Sequence, residues 1–131
     1  VTQLKTALIN AAIVGSGGFI GAVCRWTLHG FVQRHAGLTS FPWGTLAVNM
    51  AGCLLIGVAV GILDSRQVLA PEFRMFALIG VLGGFTTYST FGYETFVLLR
   101  DADYLRAVAN VSVQVVLGVA LVMAGYSLAS R

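Results

Sequence analysis

The sequence predicts an all-α membrane protein with four transmembrane helices per subunit, the third broken at Gly83–Thr86. Three observations carry this. Of 131 residues, 57% are hydrophobic and only 10% charged, with a mean hydropathy of +0.86. In a soluble domain charged residues make up about a quarter. The apolar residues also gather into runs near the about 20 residues needed to cross bilayer hydrocarbon. Finally, the third run contains Gly83-Gly84-Phe85-Thr86-Thr87-Tyr88-Ser89-Thr90-Phe91, paired glycines and a series of hydroxyls at a depth where lipid solvates no polar group.

The elements follow in order. A glycine-rich first run, Ala7 to Cys24, ends at Arg25-Trp26. The polar stretch Gln33 to Ser40 separates it from a second run, Trp43 to Leu63, opened by Pro42 and closed by Asp64-Ser65-Arg66. The third begins near Phe73 after Pro71-Glu72, is interrupted at Gly83-Gly84, and resumes to Leu99 before Arg100-Asp101-Ala102-Asp103. The fourth runs from about Ala107 to Leu128. Both prolines suit a first helical turn, where the missing N–H is not needed. Trp26, Trp43, Tyr104 and Tyr126 lie near run ends, as interfacial aromatics do. Four spans with short connections leave no room for a soluble domain, so residues 1–131 read as a single transmembrane domain. No low-complexity segment or internal repeat stands out. The N-terminus lacks the pattern of a removable signal peptide, and the first run is expected to stay in the mature protein.

A broken helix at membrane depth has functional meaning. Freed N–H and C=O groups find no water in hydrocarbon, so such backbone survives only when buried in protein or lining a polar path. Channels and transporters place ion sites at these breaks.

The charges bear on orientation. With four spans, Lys5, Arg66, Arg74 and Arg131 share one side, and Arg34, Arg100 and Arg106 the other, with Arg25 too near the membrane to count. The positive-inside rule needs a bias to fix topology, and here it finds almost none. Insertion both ways, paired as an antiparallel dual-topology homodimer, is the expected consequence; a single weakly set orientation is the alternative. The pairs Gly17/Gly21, Gly57/Gly61 and Gly80/Gly84 let helix backbones approach closely, either within one chain or between subunits.

Polar residues inside the spans are expensive and need partners. Asn110 and Gln114, four apart, share a face of the fourth helix that Gly118 continues. With Asn49, Ser89 and Thr90 they form either a hydrogen-bonding track or separate points of glue between helices. Arg25 reads as a snorkelling terminal residue or as an anion-attracting charge at a vestibule. Glu94, a carboxylate about one turn beyond Phe91, pairs with Arg25, caps a mouth or faces water. Cys24 and Cys53 read as small hydrophobes without metal spacing. His29 and His35 read as solvated residues of the first loop. No nucleophile and base pair, and no phosphate-binding loop before a helix, supports an enzyme.

The broken-helix motif, with Gly44-Thr45-Leu46-Ala47-Val48-Asn49 opening the second helix and Gly21-Ala22-Val23-Cys24-Arg25-Trp26 closing the first, resembles the microbial fluoride channel family, Fluc or CrcB. The likeness covers essentially the whole chain in order. It implies a dual-topology homodimer in the bacterial cytoplasmic (inner) membrane, with two antiparallel pores that export fluoride and reject chloride. Lipid, fluoride and a second copy are the implied partners; nucleic acid is not. The resemblance further implies a structural sodium ion (Na+) at the dimer centre, held by the carbonyls of Gly83 and Thr86. It implies a fluoride path along Tyr88, Phe91, Asn49, Asn110 and Gln114. Aromatic ring edges carry partial positive charge and coordinate an anion without the grip of a full charge. One departure stands out, since the family usually has phenylalanine where this chain has Tyr88. A small multidrug exporter is a competing reading, but it normally needs an acidic residue in the first helix, and the first run has none. An interaction subunit of a larger complex would leave the hydroxyl-rich break without a purpose.

Overall fold

The computed structural model describes residues 1–66 and 70–131. Helix α1 spans Thr2–His35 and α2 Trp43–Arg66. The third span starts as α3 (Pro71–Arg74), continues as a π-helical segment (Met75–Leu82) and reaches its break through one turn, α4 (Gly83–Phe85). Helices α5 (Tyr88–Arg100) and α6 (Tyr104–Ala129) complete the bundle. Four helical stretches among the described residues are long and apolar enough to cross a membrane: Thr2–His35, Trp43–Ser65, Pro71–Arg100 and Tyr104–Ala129. The chain is a multi-pass membrane protein.

Burial follows the inverted logic of lipid. Large apolar side chains such as Phe19, Leu105 and Val116 point outward, while Thr45 and Asn110 are among the most buried residues. Apolar groups lose nothing by facing acyl chains, whereas polar groups must find protein partners.

Two close-packed helix pairs set the frame. Against α1, the π-helical segment and α4 approach so closely that a Cβ on Gly21 would meet the Val81 carbonyl and lie 2.8 Å from the Phe85 nitrogen. Between α2 and α6, a Cβ on Gly57 would meet the Val122 carbonyl and lie 3.0 Å from the Tyr126 nitrogen. In each case the obstacle is backbone, which has no rotamer to change. Gly17 sits against Gly80, Gly84 against Gly18, and Gly61 against Tyr126. All three glycine pairs are therefore used inside one chain, the intrasubunit reading of that motif.

Three expectations are corrected. The first helix extends well beyond Ala7 to Cys24 in both directions, and both histidines lie within it; His35 Nδ1 is 2.8 Å from the Phe31 carbonyl. The break is not at Gly83-Gly84, for Gly83–Phe85 is still helical. It falls at Thr86 (φ −81, ψ 160) and Thr87 (φ −150, ψ 117). The glycines serve close packing against α1, and the Asn49 side chain, which captures the Thr87 backbone, interrupts the helix. The wide-turned segment before the break was not anticipated either; such turns are uncommon and gather at functional sites.

The α5–α6 turn is tight. Ala102 takes φ +58, its N–H donates to the Leu99 carbonyl, and the Asp103 N–H donates to the Leu98 carbonyl at 2.8 Å. This is the double closure that usually takes glycine at the left-handed position. The Asp103 side chain then caps α6 by accepting from the Arg106 N–H, and Arg106 donates to Ser40, tying the first loop to this end of the bundle.

Candidate functional site

Asn49 organises the break. Its Oδ1 accepts from the Thr87 N–H (3.0 Å) and its Nδ2 donates to the Thr87 carbonyl (3.2 Å), so one amide grips both backbone groups of one residue. In an unbroken helix the Thr87 N–H would serve the Gly83 carbonyl, four residues back. The Thr90 N–H would likewise serve Thr86, yet it donates to Thr87 Oγ1 instead (3.3 Å). Thr87 thus caps α5 as a threonine at that position commonly does. The carbonyls of Gly83 and Thr86 both lose their helical donors by these substitutions. Neutral carbonyl oxygens freed in this way suit a hard cation such as sodium. The Thr86 carbonyl also accepts from Arg25 Nη1 at 3.2 Å. That contact fastens Arg25 to the break, which is neither of the roles expected for it.

A polar track leads away from the clamp. Asn49 Nδ2 also donates to Gln114 Oε1 (2.9 Å), Gln114 Nε2 to Asn110 Oδ1 (3.4 Å), and Asn110 Nδ2 to Thr95 Oγ1 (3.0 Å). Thr95 finally donates to the Phe91 carbonyl (2.8 Å). The chain joins α2, α6 and α5, and fully buried Asn110 lies near its middle. The three expected amides are therefore brought together. Ser89 and Thr90 are not part of this track: Thr87 Oγ1 donates to Thr90 Oγ1 (2.9 Å) and lies 3.4 Å from Ser89 Oγ.

Beside the track lies an open groove of about 420 Å³, lined by Asn49, Gln114, Thr87, Tyr88 and Phe91 with apolar neighbours. The Tyr88 and Phe91 rings lie 5.7 Å apart, tilted by 54°, within the range of favourable edge-to-face contact. Tyr88 is 84% exposed. The N-terminal end of α5, the positive end of its dipole, opens at this same place.

Glu94 sits elsewhere, at one mouth of the bundle, and it does not pair with Arg25. Thr45 Oγ1 donates to its Oε1 at 2.6 Å, and His29 Nε2 lies 3.9 Å from that same oxygen.

Sequence reasoning missed Thr45, Thr87, Thr95 and His29 as site residues. Signals existed for two. Thr45 precedes Asn49 by four residues and Thr95 follows Phe91 by four, the spacing that stacks side chains on one helix face. Nothing local marked His29, whose partner lies 65 positions away.

Comparison with known proteins fits this geometry. Residues 12–126 match the family model described as CrcB-like protein, Camphor Resistance (CrcB). The chain is 46% identical over 109 residues to a fluoride-specific ion channel FluC of Citrifermentans bemidjiense, covering 83% of this chain and 85% of that one. Against the protein of the same name from Geobacter sulfurreducens it is 44% identical over 112 residues, covering 86% and 87%. Against that of Maridesulfovibrio salexigens it is 38% identical over 115 residues, covering 88% and 90%.

Proposed function

The chain belongs to the CrcB (FluC) family, and from that premise we propose that it is a passive, fluoride-selective channel without enzymatic activity. The observation that carries this is the clamped break: Asn49 holds α5 open at its positive end, beside two aromatic rings and a buried amide track. An anion in the groove meets ring edges, helix N–H groups and neutral amides, with no charged side chain in the lining to hold it fast. Weak sequential sites of this kind favour throughput over tight binding. Among the described residues, Gln114, which lines the groove, uses one amide hydrogen in the track and keeps the other for a guest.

The working unit is an antiparallel dual-topology homodimer in the bacterial inner membrane, with two pores. The near-balanced Lys/Arg distribution supports insertion both ways. The groove with exposed Tyr88 is the face on which a second copy completes each path. Sodium fits the carbonyls of Gly83 and Thr86, and when bound it would supply positive charge to acceptors that the break deprives of their helical donors. Its role is structural. Arg25, tied to the Thr86 carbonyl, holds that edge of the break in place. The Tyr88 hydroxyl narrows the path or holds fluoride too firmly, so conduction is slower than with phenylalanine there.

The test is flux. Purified protein in liposomes loaded with potassium fluoride, triggered by valinomycin, is expected to release fluoride rapidly and chloride not at all. Equal release of both ions, or of neither, refutes the reading. Tags on both termini are expected on both membrane faces, and every copy in one orientation overturns the dual topology.

A further inference from the structure

The cluster at the mouth is the part of the molecule that the channel reading leaves unused. His29, Glu94 and Tyr93 line a second cavity of about 470 Å³ with Gln33, Ser40 and Arg100. Glu94 lies one helical turn beyond Phe91, so an anion travelling between the rings and this mouth passes its carboxylate. A lone negative charge there opposes anion entry. The cluster holds the means to cancel it. Thr45 is 1% exposed and donates to Oε1, while Oε2 is buried without a hydrogen-bond partner. His29 Nε2 is 3.9 Å from Oε1, and its side chain is 38% exposed, so it is open to the solution. Imidazole is the side chain whose charge ordinarily changes between about pH 5 and 8.

We propose that His29 is a proton-operated entrance residue, which admits anions at this mouth when charged by neutralising Glu94 and hinders them when neutral. This rests on the channel reading above and adds a regulation to it. Two further ion pairs stand near the mouth. Arg100 Nε is 3.0 Å from Asp101, and Arg106 Nη1 is 2.8 Å from Asp103. Arg34 folds back over Gly30 on the same helix as His29. Tyr93 and Gln33 are the remaining polar groups of the cavity wall, and Thr45 is the contribution of α2. The net charge facing an entering anion therefore follows the state of His29. With His29 charged the pair sums to zero; as pH rises and the ring loses its proton, the carboxylate stands alone.

Initial fluoride efflux is measured from proteoliposomes at about pH 6 and about pH 8, spanning the imidazole range. Protein-free vesicles are subtracted at each pH, since hydrogen fluoride crosses lipid unaided. A unit charge near the path, screened by salt, predicts wild-type efflux about fivefold slower at the higher pH. His29→Gln is expected to be flat with pH at the slow rate. Glu94→Gln is expected to be at least as fast at the higher pH as wild type at the lower. His35→Gln, altered outside the cavity, is expected to keep the wild-type step. Fluoride flux that is pH-independent in wild type, or a step that survives in His29→Gln, overturns the entrance role and leaves the channel intact. No efflux above the blanks from any variant at either pH overturns the channel reading and this one with it.

Discussion

Replacing Asn49 with leucine tests the claim that one amide holds the break. Leucine is nearly isosteric, so packing changes little, but the hydrogen bonds to the Thr87 N–H, the Thr87 carbonyl and Gln114 Oε1 all vanish. Side-chain hydrogen bonds between membrane helices contribute only about 0.6 kcal/mol on average. The larger effect comes from what is left behind, because an orphaned N–H away from water costs about 1–3 kcal/mol. Taken together, Asn49→Leu is expected to destabilise the protein by about 2–4 kcal/mol. The Thr87 N–H can recover a partner only by turning back to the Gly83 carbonyl, which closes the break and removes the groove. Reversible unfolding in mixed micelles, followed by circular dichroism, measures the loss, and fluoride efflux from the same preparation measures the function. Asn49→Asp sharpens the test: it keeps the acceptor for the Thr87 N–H but sets a carboxylate oxygen against the Thr87 carbonyl and Gln114 Oε1. A leucine variant within about 0.5 kcal/mol of wild type, well under one orphaned donor, would mean that Asn49 does not hold the break.

Other outcomes follow from the same structure. Gly57→Leu drives a side chain into the Val122 carbonyl and is expected to cost more than the about 1–3 kcal/mol of ordinary overpacking, since backbone cannot repack. Gly15→Ala, with nothing within 4 Å of its Cβ position, is expected to leave the midpoint of thermal unfolding unchanged or slightly raised. Ala102→Gly relieves a left-handed conformation at φ +58 and is expected to stabilise by about 1 kcal/mol, read as a higher unfolding midpoint with unchanged flux. Tyr88→Phe is expected to speed fluoride efflux while chloride stays excluded; equal rates would remove the hydroxyl from the account of conduction.

Much of the architecture is determined by the sequence alone. Span number and span positions follow from hydropathy, because lipid solvates apolar side chains and demands internally bonded backbone. Pro71 stands in a first helical turn as read, whereas Pro42 lies one residue before α2, and the amides at 49, 110 and 114 meet as their spacing on two helices allowed. The break was legible as an event, and its expected range, Gly83–Thr86, reaches the residue where it begins, but the role of the glycines was misread, since glycine pairs serve either as breakers or as packing surfaces and only the neighbouring helix decides which. Gly84 lies against Gly18 of α1, so it stays helical. The helix opens at Thr87 because Asn49, 38 positions earlier, takes its backbone groups. Arg25 and Glu94 show the same division. Their chemistry is local, but their partners, Thr86 for one and Thr45 with His29 for the other, depend on which helices lie side by side. Periodicity within a helix records which face is polar; which face of another helix it meets is set by close packing at Gly21 and Gly57, and that exists only once the bundle has formed.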